Sequence, residues 1–460
     1  MNCLTPTPTA WARMGRTRAT ARTPMALRLN VCVLAISVAL PIAESAGREP
    51  PAALREFQRS TLLRRFDRDR DAKLDEREKR ALRDSFDGID VPMLPDKPFE
   101  YTTVELPAHA NRAELDRADN TPKDNPTTNA GVTLGRVLFY DTNLSRNNTI
   151  SCASCHLQRA GFSDPKTFSV GFAGGHTTRN AMSLSNLRYS NVDGGRPGFF
   201  WDERAATLEA QVLMPIQDPV EMGMNLRDLE WKLQQLPYVP PLFEAAFGSR
   251  EVTRDRIAKS VAQSLRSMVS LNSKFDRAAK PDGSGDYSAD FEGFTAAENL
   301  GKFVFLNGPD GIAEHGCANC HTPPTFAMNK SLNNGLELNY KDRGIGALNR
   351  PTNDPFTPSN DGKFKASSLR NIALTAPYMH DGRFATLEQV IDHYSTGVVP
   401  HPNLGLAFAD QDSGAPKSGL KFTAEQKTAL IAFLKTLTDE QFVSDPKFSD
   451  PFVRLSGQEK

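Results

Sequence analysis

The sequence predicts an all-α protein of two similar helical domains with long loops, preceded by a small helical segment. Three observations carry this expectation. A short amphipathic pattern occurs twice, as Leu134-Gly135-Arg136-Val137-Leu138-Phe139 and as Leu300-Gly301-Lys302-Phe303-Val304-Phe305, each with one apolar helical face. Each copy runs into a loop that ends in the same motif, Cys152-Ala153-Ser154-Cys155-His156 and Cys317-Ala318-Asn319-Cys320-His321. A further helix lies near the C-terminus, where Thr423 and Gln426 are spaced as a capping box and Leu430, Phe433, Leu434 and Leu437 form an apolar stripe.

Composition sets the frame for these elements. The chain has 460 residues, 39% hydrophobic and 24% charged, which suits two or three domains with buried cores. Lys+Arg and Asp+Glu each number 55, so no charge excess points to nucleic acid. No apolar run reaches the roughly 18 residues needed to span a bilayer.

The first 45 residues read as an export signal. Five arginines, the last Arg28, precede an apolar stretch from Val31 to Leu40, and Ala43-Glu44-Ser45 fits a small-residue cleavage site. Met25 would start a more compact version of the same signal. The expected product is a soluble periplasmic protein.

Residues 46–100 carry an EF-hand-like loop. Asp67, Asp69, Asp71, Asp75 and Glu78 occupy positions 1, 3, 5, 9 and 12 of a calcium loop, and Lys73 offers its backbone carbonyl at position 7. Leu62, Leu63 and Phe66 before the loop and Leu82 and Phe86 after it supply apolar flanks. Ala72 stands where glycine is expected, at a cost on the order of 1 kcal/mol that weakens such a site.

The cysteines decide the chemistry. Cys3 and Cys32 lie in the leader, which leaves Cys152, Cys155, Cys317 and Cys320, each pair followed at once by His156 or His321. C-x-x-C-H is the attachment motif of c-type haem. Two thiols at that spacing reach the two vinyl groups on one porphyrin edge, and the adjacent histidine falls beneath the iron as the proximal ligand. A zinc site would need further ligands at short spacing, and none is present. The expectation is therefore two covalent haem c groups in two cytochrome-c-like domains. Pro281-Asp282-Gly283-Ser284-Gly285 marks a flexible boundary, and residues 328–365, rich in Asn, Gly, Pro and Asp, read as a long loop. The division that follows is 1–45 leader, 46–100 EF-hand-like segment, 101–285 N-terminal haem domain, 286–445 C-terminal haem domain and 446–460 tail.

From about residue 130 to 440 the sequence resembles the bacterial di-haem cytochrome c peroxidase family, including its MauG branch. Beyond the two motifs, the likeness rests on Phe199-Phe200-Trp201-Asp202-Glu203-Arg204, on Gln211 with Pro219-Val220-Glu221-Met222, and on the run from Leu369 to Gly382. The resemblance implies a peroxidatic N-terminal haem and an electron-transfer C-terminal haem. It implies that Trp201 sits between the haems and couples them, and that Gln211 and Glu221 lie over the N-terminal haem where hydrogen peroxide binds. There a base must take a proton from the peroxide and an acid must deliver it to the leaving oxygen; Glu221 is the candidate for both. Asn180, Thr375 and Pro377 match positions that help bind a calcium between the haems, an oxygen-donor set that suits this cation.

Two departures point to the MauG-like branch. The histidine that caps the N-terminal haem in many of these peroxidases is matched by Phe172, which cannot ligate iron, and His176 nearby reads as an ordinary loop histidine. The methionine ligand of the C-terminal haem is matched by Tyr394, the residue type MauG uses, while Met379 remains a rival ligand. That branch stores two oxidising equivalents across its haems and oxidises residues of a partner protein. Its hole-relaying tryptophan before the second motif is matched here by His315, a poor relay. The expected partners are hydrogen peroxide and either a small electron-donor protein (cytochrome c or cupredoxin) or a protein substrate. The alternative reading is a non-enzymatic di-haem electron-transfer cytochrome.

Overall fold

Both Leu-Gly repeats lie in helices that are crossed, at the glycine, by a second helix. The computed structural model describes residues 65–71, 73–190, 198–328, 331–352, 357–408 and 417–454. Its α-helices, in chain order, are α1 (Glu76–Asp84), α2 (Arg112–Ala118), α3 (Asn129–Tyr140), α4 (Leu208–Gln217), α5 (Leu226–Gln235), α6 (Val239–Phe247), α7 (Arg254–Ser267), α8 (Lys274–Ala278), α9 (Ala296–Asn307), α10 (Leu387–Asp392), α11 (Ala424–Lys435) and α12 (Glu440–Ser444). Among the described residues the strands are Ser331–Leu332 and Phe364–Lys365, a short antiparallel pair with Ser331 opposite Lys365. The all-α expectation holds.

Helix α3 starts where the Thr128 hydroxyl accepts the Gly131 N–H at 3.0 Å. It turns Leu134, Val137 and Leu138 inward, all fully buried, and α7 packs across it. A Cβ on Gly135 would lie 2.0 Å from the Ser260 carbonyl oxygen of α7. The second repeat does the same. Thr295 and Glu298 form a capping box at the start of α9, Val304 and Phe305 are buried, and a Cβ on Gly301 would lie 1.9 Å from the Ala429 oxygen of α11. Glycine is required at both crossings because any side chain would hold the backbones apart. The capping box expected at Thr423 opens α11, with the Gln426 N–H on the Thr423 hydroxyl at 3.2 Å and the Gln426 side chain on the Thr423 N–H.

The apolar residues gather in two cores. One holds α3, α4, α7 and the residues from Leu82 to Met268; the other holds α9, α11 and the residues from Phe275 to Leu437. Each buried Leu, Val or Phe contributes about 1.5–3 kcal/mol. The segment after α11 returns to the first core: Phe442, Phe448 and Phe452 are buried there, with Phe442 5.4 Å from Phe162, centroid to centroid. These three aromatics have no helical period, so their burial is not visible in the sequence of the segment. A buried ion-pair cluster joins residues distant along the chain beside the second core. Arg370, fully buried, clasps Asp276 with two N–H groups at 2.6 and 2.8 Å, and His109 Nε2 lies 3.0 Å from the same carboxylate. Burial alone would raise the Asp276 carboxyl, but the Arg370 charge and the surrounding hydrogen bonds hold it well below the usual carboxylate range.

Candidate functional site

Each C-x-x-C-H motif is wound into one tight turn. The N–H groups of Cys155 and His156 both point to the Cys152 carbonyl, at 3.2 and 3.0 Å, and those of Cys320 and His321 point to the Cys317 carbonyl, at 3.1 and 2.9 Å. The two thiols and the imidazole of each motif thus come from one turn of backbone. No disulfide joins these four cysteines.

The histidines are oriented in the same way in both motifs. His156 Nδ1 lies 3.0 Å from the Phe162 carbonyl oxygen. His321 Nδ1 lies 3.3 Å from that of Phe326 and 3.1 Å from that of Ser367. A carbonyl accepts only from an N–H, so this contact puts the proton on Nδ1 and leaves the Nε2 lone pair for a metal. Phe162 and Phe326 reach these positions with φ of +59° and +53°, a conformation costing about 1–3 kcal/mol for a residue with a side chain. Both rings are fully buried, which holds the backbone there. Burial pushes the His321 imidazole down to about 4 and lowers His156, so both are neutral and fit to ligate.

Around the first motif lies a partly open cavity. Cys152, Cys155 and His156 line it together with Gln211 and Glu221, and the rest of its wall is largely apolar. Gln211 comes from the second turn of α4, whose end is capped by Asp218. The Asp218 carboxylate accepts the N–H groups of Val220 and Glu221 at 2.8 and 3.1 Å and so fixes the turn that presents Glu221. Burial, helped by the Asp218 charge, pushes the Glu221 carboxyl up to about 7. A carboxyl poised there can take a proton and return it near neutral pH. The neighbouring loop packs tightly on this turn: a Cβ on Gly171 would lie 1.6 Å from the Val220 oxygen. Phe172 donates its N–H to the Glu221 carbonyl at 2.9 Å and lays its ring against Gly223, where a Cβ would lie 2.4 Å from it. His176 is exposed and outside the cavity wall.

At the second motif, Tyr394 lies in a π-helical turn, His393–Gly397, that continues α10. Such turns recur at functional sites. Burial pushes its phenol up to about 12, opposed by a hydrogen bond from Asn334; the Cys320 and Cys317 thiols are close enough to add to the rise. The Asn334 amide Nδ2 lies 3.3 Å from Tyr394 Oη and 3.4 Å from Met379 Sδ. Both rival ligands therefore meet at one place. Between the two halves, the Trp201 indole N–H donates to the Asn180 carbonyl at 2.9 Å. His315 is buried, with Nδ1 2.8 Å from Asp310.

A cavity walled by two adjacent thiols, an Nε2-free histidine and apolar side chains has the donor set of a covalently bound haem c, and the second motif repeats that set. Comparison with known proteins agrees. The family model for di-haem cytochrome c peroxidase matches residues 129–284. The methylamine utilization protein MauG of Methylorubrum extorquens is 34% identical over 320 residues, which are 69% of this chain and 81% of that protein. The chain belongs to the di-haem cytochrome c peroxidase family. A cytochrome c551 peroxidase of Nitrosomonas europaea is 30% identical over 328 residues, 71% of this chain and 84% of that protein. A MauG-like protein associated with microbial copper homeostasis superposes with a TM-score of 0.59 at 34% identity, covering 72% of this chain and 96% of that one. The di-haem peroxidase BthA of Burkholderia thailandensis shares the fold, with a TM-score of 0.54 at 23% identity over 69% of this chain and 88% of that one.

As a di-haem peroxidase, the chain is a peroxidase-type oxidoreductase with two haem groups. Among the residues expected from the sequence, the structure brings Gln211 and Glu221 to the first C-x-x-C-H motif and Tyr394 to the second. Asn180 is joined to the loop after Pro377 through its N–H, which donates to the His380 carbonyl at 2.7 Å. Thr375 approaches from the side of Gly161, where a Cβ would lie 3.1 Å from its methyl group. In the EF-hand-like loop the carboxylates of Asp67, Asp69 and Asp71 lie within 4.8 Å of one another. Glu78 folds back to accept the N–H groups of Arg68 at 2.5 Å and Asp75 at 3.1 Å, and the Lys73 N–H bonds to Asp71. Ala72 and the export signal at 1–45 lie outside the described residues. Sequence reasoning missed Asp218 and Asn334. Asp218 was legible as an Asp-Pro turn three residues before Glu221; Asn334 carries no local signal.

Proposed function

We propose that this di-haem peroxidase is an exported enzyme of the MauG-like branch. It reduces hydrogen peroxide at the haem carried by His156 and draws the electrons from a small redox protein (cytochrome c or cupredoxin) or from residues of a partner protein. The observation that carries this reading is the Glu221 carboxyl, held in the cavity of the first motif with its pKa pushed up to about 7. When bound, the haems supply the two electrons that reduction of peroxide to water requires. Glu221 takes the proton from the attacking peroxide and hands it to the departing oxygen, and Gln211 donates to the bound peroxide. Phe172, turned onto Gly223, stands where many of these peroxidases carry a histidine ligand, and its ring could not ligate iron. Trp201 couples this site to the second haem, held by His321 and Tyr394.

In this reading residues 101–285 and 286–445 are the two haem domains, and export follows from the leader at 1–45. No helix among the described residues is long and apolar enough to cross a membrane. Calcium binds at two places. One is between the haems, where the Asn180 side chain donates its N–H groups to the carbonyls of Lys166 and Thr167 and keeps its oxygen for the cation, alongside Thr375 and Pro377. The other is the loop of Asp67, Asp69, Asp71, Lys73, Asp75 and Glu78. Low-temperature EPR of the ferric protein, before and after one equivalent of peroxide, tests the reading. A high-spin signal beside a low-spin one, both lost on adding peroxide, is the expected result. Two low-spin signals unmoved by peroxide would replace the enzyme with the electron carrier.

A further inference from the structure

The turn around Asn333, Asn334 and Gly335 has been given no role in the proposed reaction, yet it is held from both sides. Asn333 is almost fully buried. Its side chain bonds to the Asp361 carbonyl at 3.3 Å and to His401 Nδ1 at 3.2 Å, and its oxygen accepts the Gly335 N–H at 2.9 Å. Its carbonyl accepts the Gly405 N–H at 3.0 Å. On the other side, the Gly335 carbonyl accepts the Val399 N–H at 2.8 Å. Gly335 has φ +69°, and a Cβ there would lie 2.6 Å from the Val398 side chain. The residue between these two anchors is Asn334. Its own carbonyl is 3.0 Å from His393 Nε2, and its amide nitrogen reaches Tyr394 Oη at 3.3 Å and Met379 Sδ at 3.4 Å.

We propose that Asn334 is a positioning residue for the C-terminal haem, donating through its amide to the Tyr394 oxygen and so fixing that oxygen, rather than the Met379 sulfur, as the ligand. The inference rests on the reading of Tyr394 as that ligand. An amide N–H bonds more strongly to an anionic phenolate than to a thioether, which is a weak acceptor. The same amide therefore favours phenolate ligation and engages the sulfur beside it. A hydrogen bond to a ligand atom also withdraws charge from it and tunes the metal behind it. Asn334 thereby moderates the donor strength of the phenolate.

The test uses full-length protein carrying both haems. Asn334→Leu keeps the size of the side chain and removes the donor; Asn334→Ala is the second variant should the first fail to load haem. The expected result is a shift of the phenolate-to-iron charge-transfer band to lower energy, together with a fall in the reduction potential of the C-terminal haem. Asn334→Ser, which restores a donor, should move both back toward wild type. Tyr394→Phe and Met379→Leu are measured beside them. Tyr394→Phe should abolish the band, and Met379→Leu should leave it in place. If Tyr394→Phe leaves the spectrum unchanged, Tyr394 is not the ligand and the inference falls together with that assignment. If Tyr394→Phe abolishes the band while both donor-free Asn334 variants keep the wild-type band and potential, the ligand assignment stands and the role of Asn334 falls alone.

Discussion

The indole N–H of Trp201 donates to the backbone carbonyl of Asn180 at 2.9 Å. The Asn180 N–H donates in turn to the His380 carbonyl at 2.7 Å, and the Trp201 carbonyl accepts the Lys365 N–H at 2.8 Å. Trp201 is thus pinned from both sides by residues of the second half of the chain or bonded to it. Trp201→Phe should leave peroxide reacting at the His156 haem but strand the second oxidising equivalent. After one equivalent of peroxide, most of the low-spin EPR signal of the C-terminal haem should survive in this variant and vanish in the wild type.

Glu221 should govern the pH dependence of the peroxide reaction. Its carboxyl is raised to about 7 by burial and by Asp218, so it is protonated below that value and ionised above it. A base must be ionised to accept a proton, so the second-order rate with peroxide should climb as pH rises through about 7. Glu221→Gln should lower that rate by about 10²–10⁴-fold and flatten the profile. Stopped-flow measurement across the pH range checks both; an unaltered profile in the variant would remove Glu221 from the proton path.

The helix crossings predict a stability loss without a change of chemistry. Gly135→Ala and Gly301→Ala each place a methyl about 2 Å from a carbonyl oxygen of the partner helix, at 2.0 and 1.9 Å. Overpacking of this kind costs about 1–3 kcal/mol, occasionally more. Calorimetric midpoints should fall by about 1 °C per kcal/mol, while the spectra of the folded protein stay the same.

Asp276→Asn should be far more damaging than its single lost charge suggests. It leaves Arg370 buried and unpaired, a change worth about 3–5 kcal/mol. The sign with pH follows from the depressed Asp276 carboxyl. Its contribution is present above the unfolded value of about 4 and is lost as pH falls through the folded one. Denaturant unfolding at neutral pH should therefore separate variant from wild type, and the gap should close in acid.

Calcium should stabilise the segment around the Asp67–Glu78 loop. Adding calcium to chelator-treated protein should raise its thermal midpoint, and Glu78→Gln, which removes a charge from the twelfth position, should abolish much of that rise. A midpoint indifferent to chelator and calcium would mean that the acidic loop is a solvated charge run.

How far the sequence could be read depended on the range of the interaction concerned. The capping box of Thr423 and Gln426, the Leu-Gly repeats and both C-x-x-C-H turns were legible because each is closed by atoms a few residues apart. The cysteines and histidines were legible for the same reason. The rivalry between Tyr394 and Met379 could not be resolved along the chain, since both side chains bond to one amide on a loop that carries no periodicity. The segment at 446–460 read as a tail, yet Phe448 and Phe452 fill the first core, because isolated aromatics are placed by the shape of the cavity that receives them.

The sequence by itself therefore determined the helical class, the two haem attachment turns and the family, all written in short spacings and local capping. Only the tertiary structure decided the state of the groups around those turns. The Glu221 carboxyl is raised because the fold buries it beside Asp218. Asn334 reaches Tyr394, 60 residues away, because Asn333 and Gly335 are bonded to distant strands of loop. Desolvation and hydrogen-bond partnership depend on what the fold lays over a residue, and no spacing along the chain encodes them.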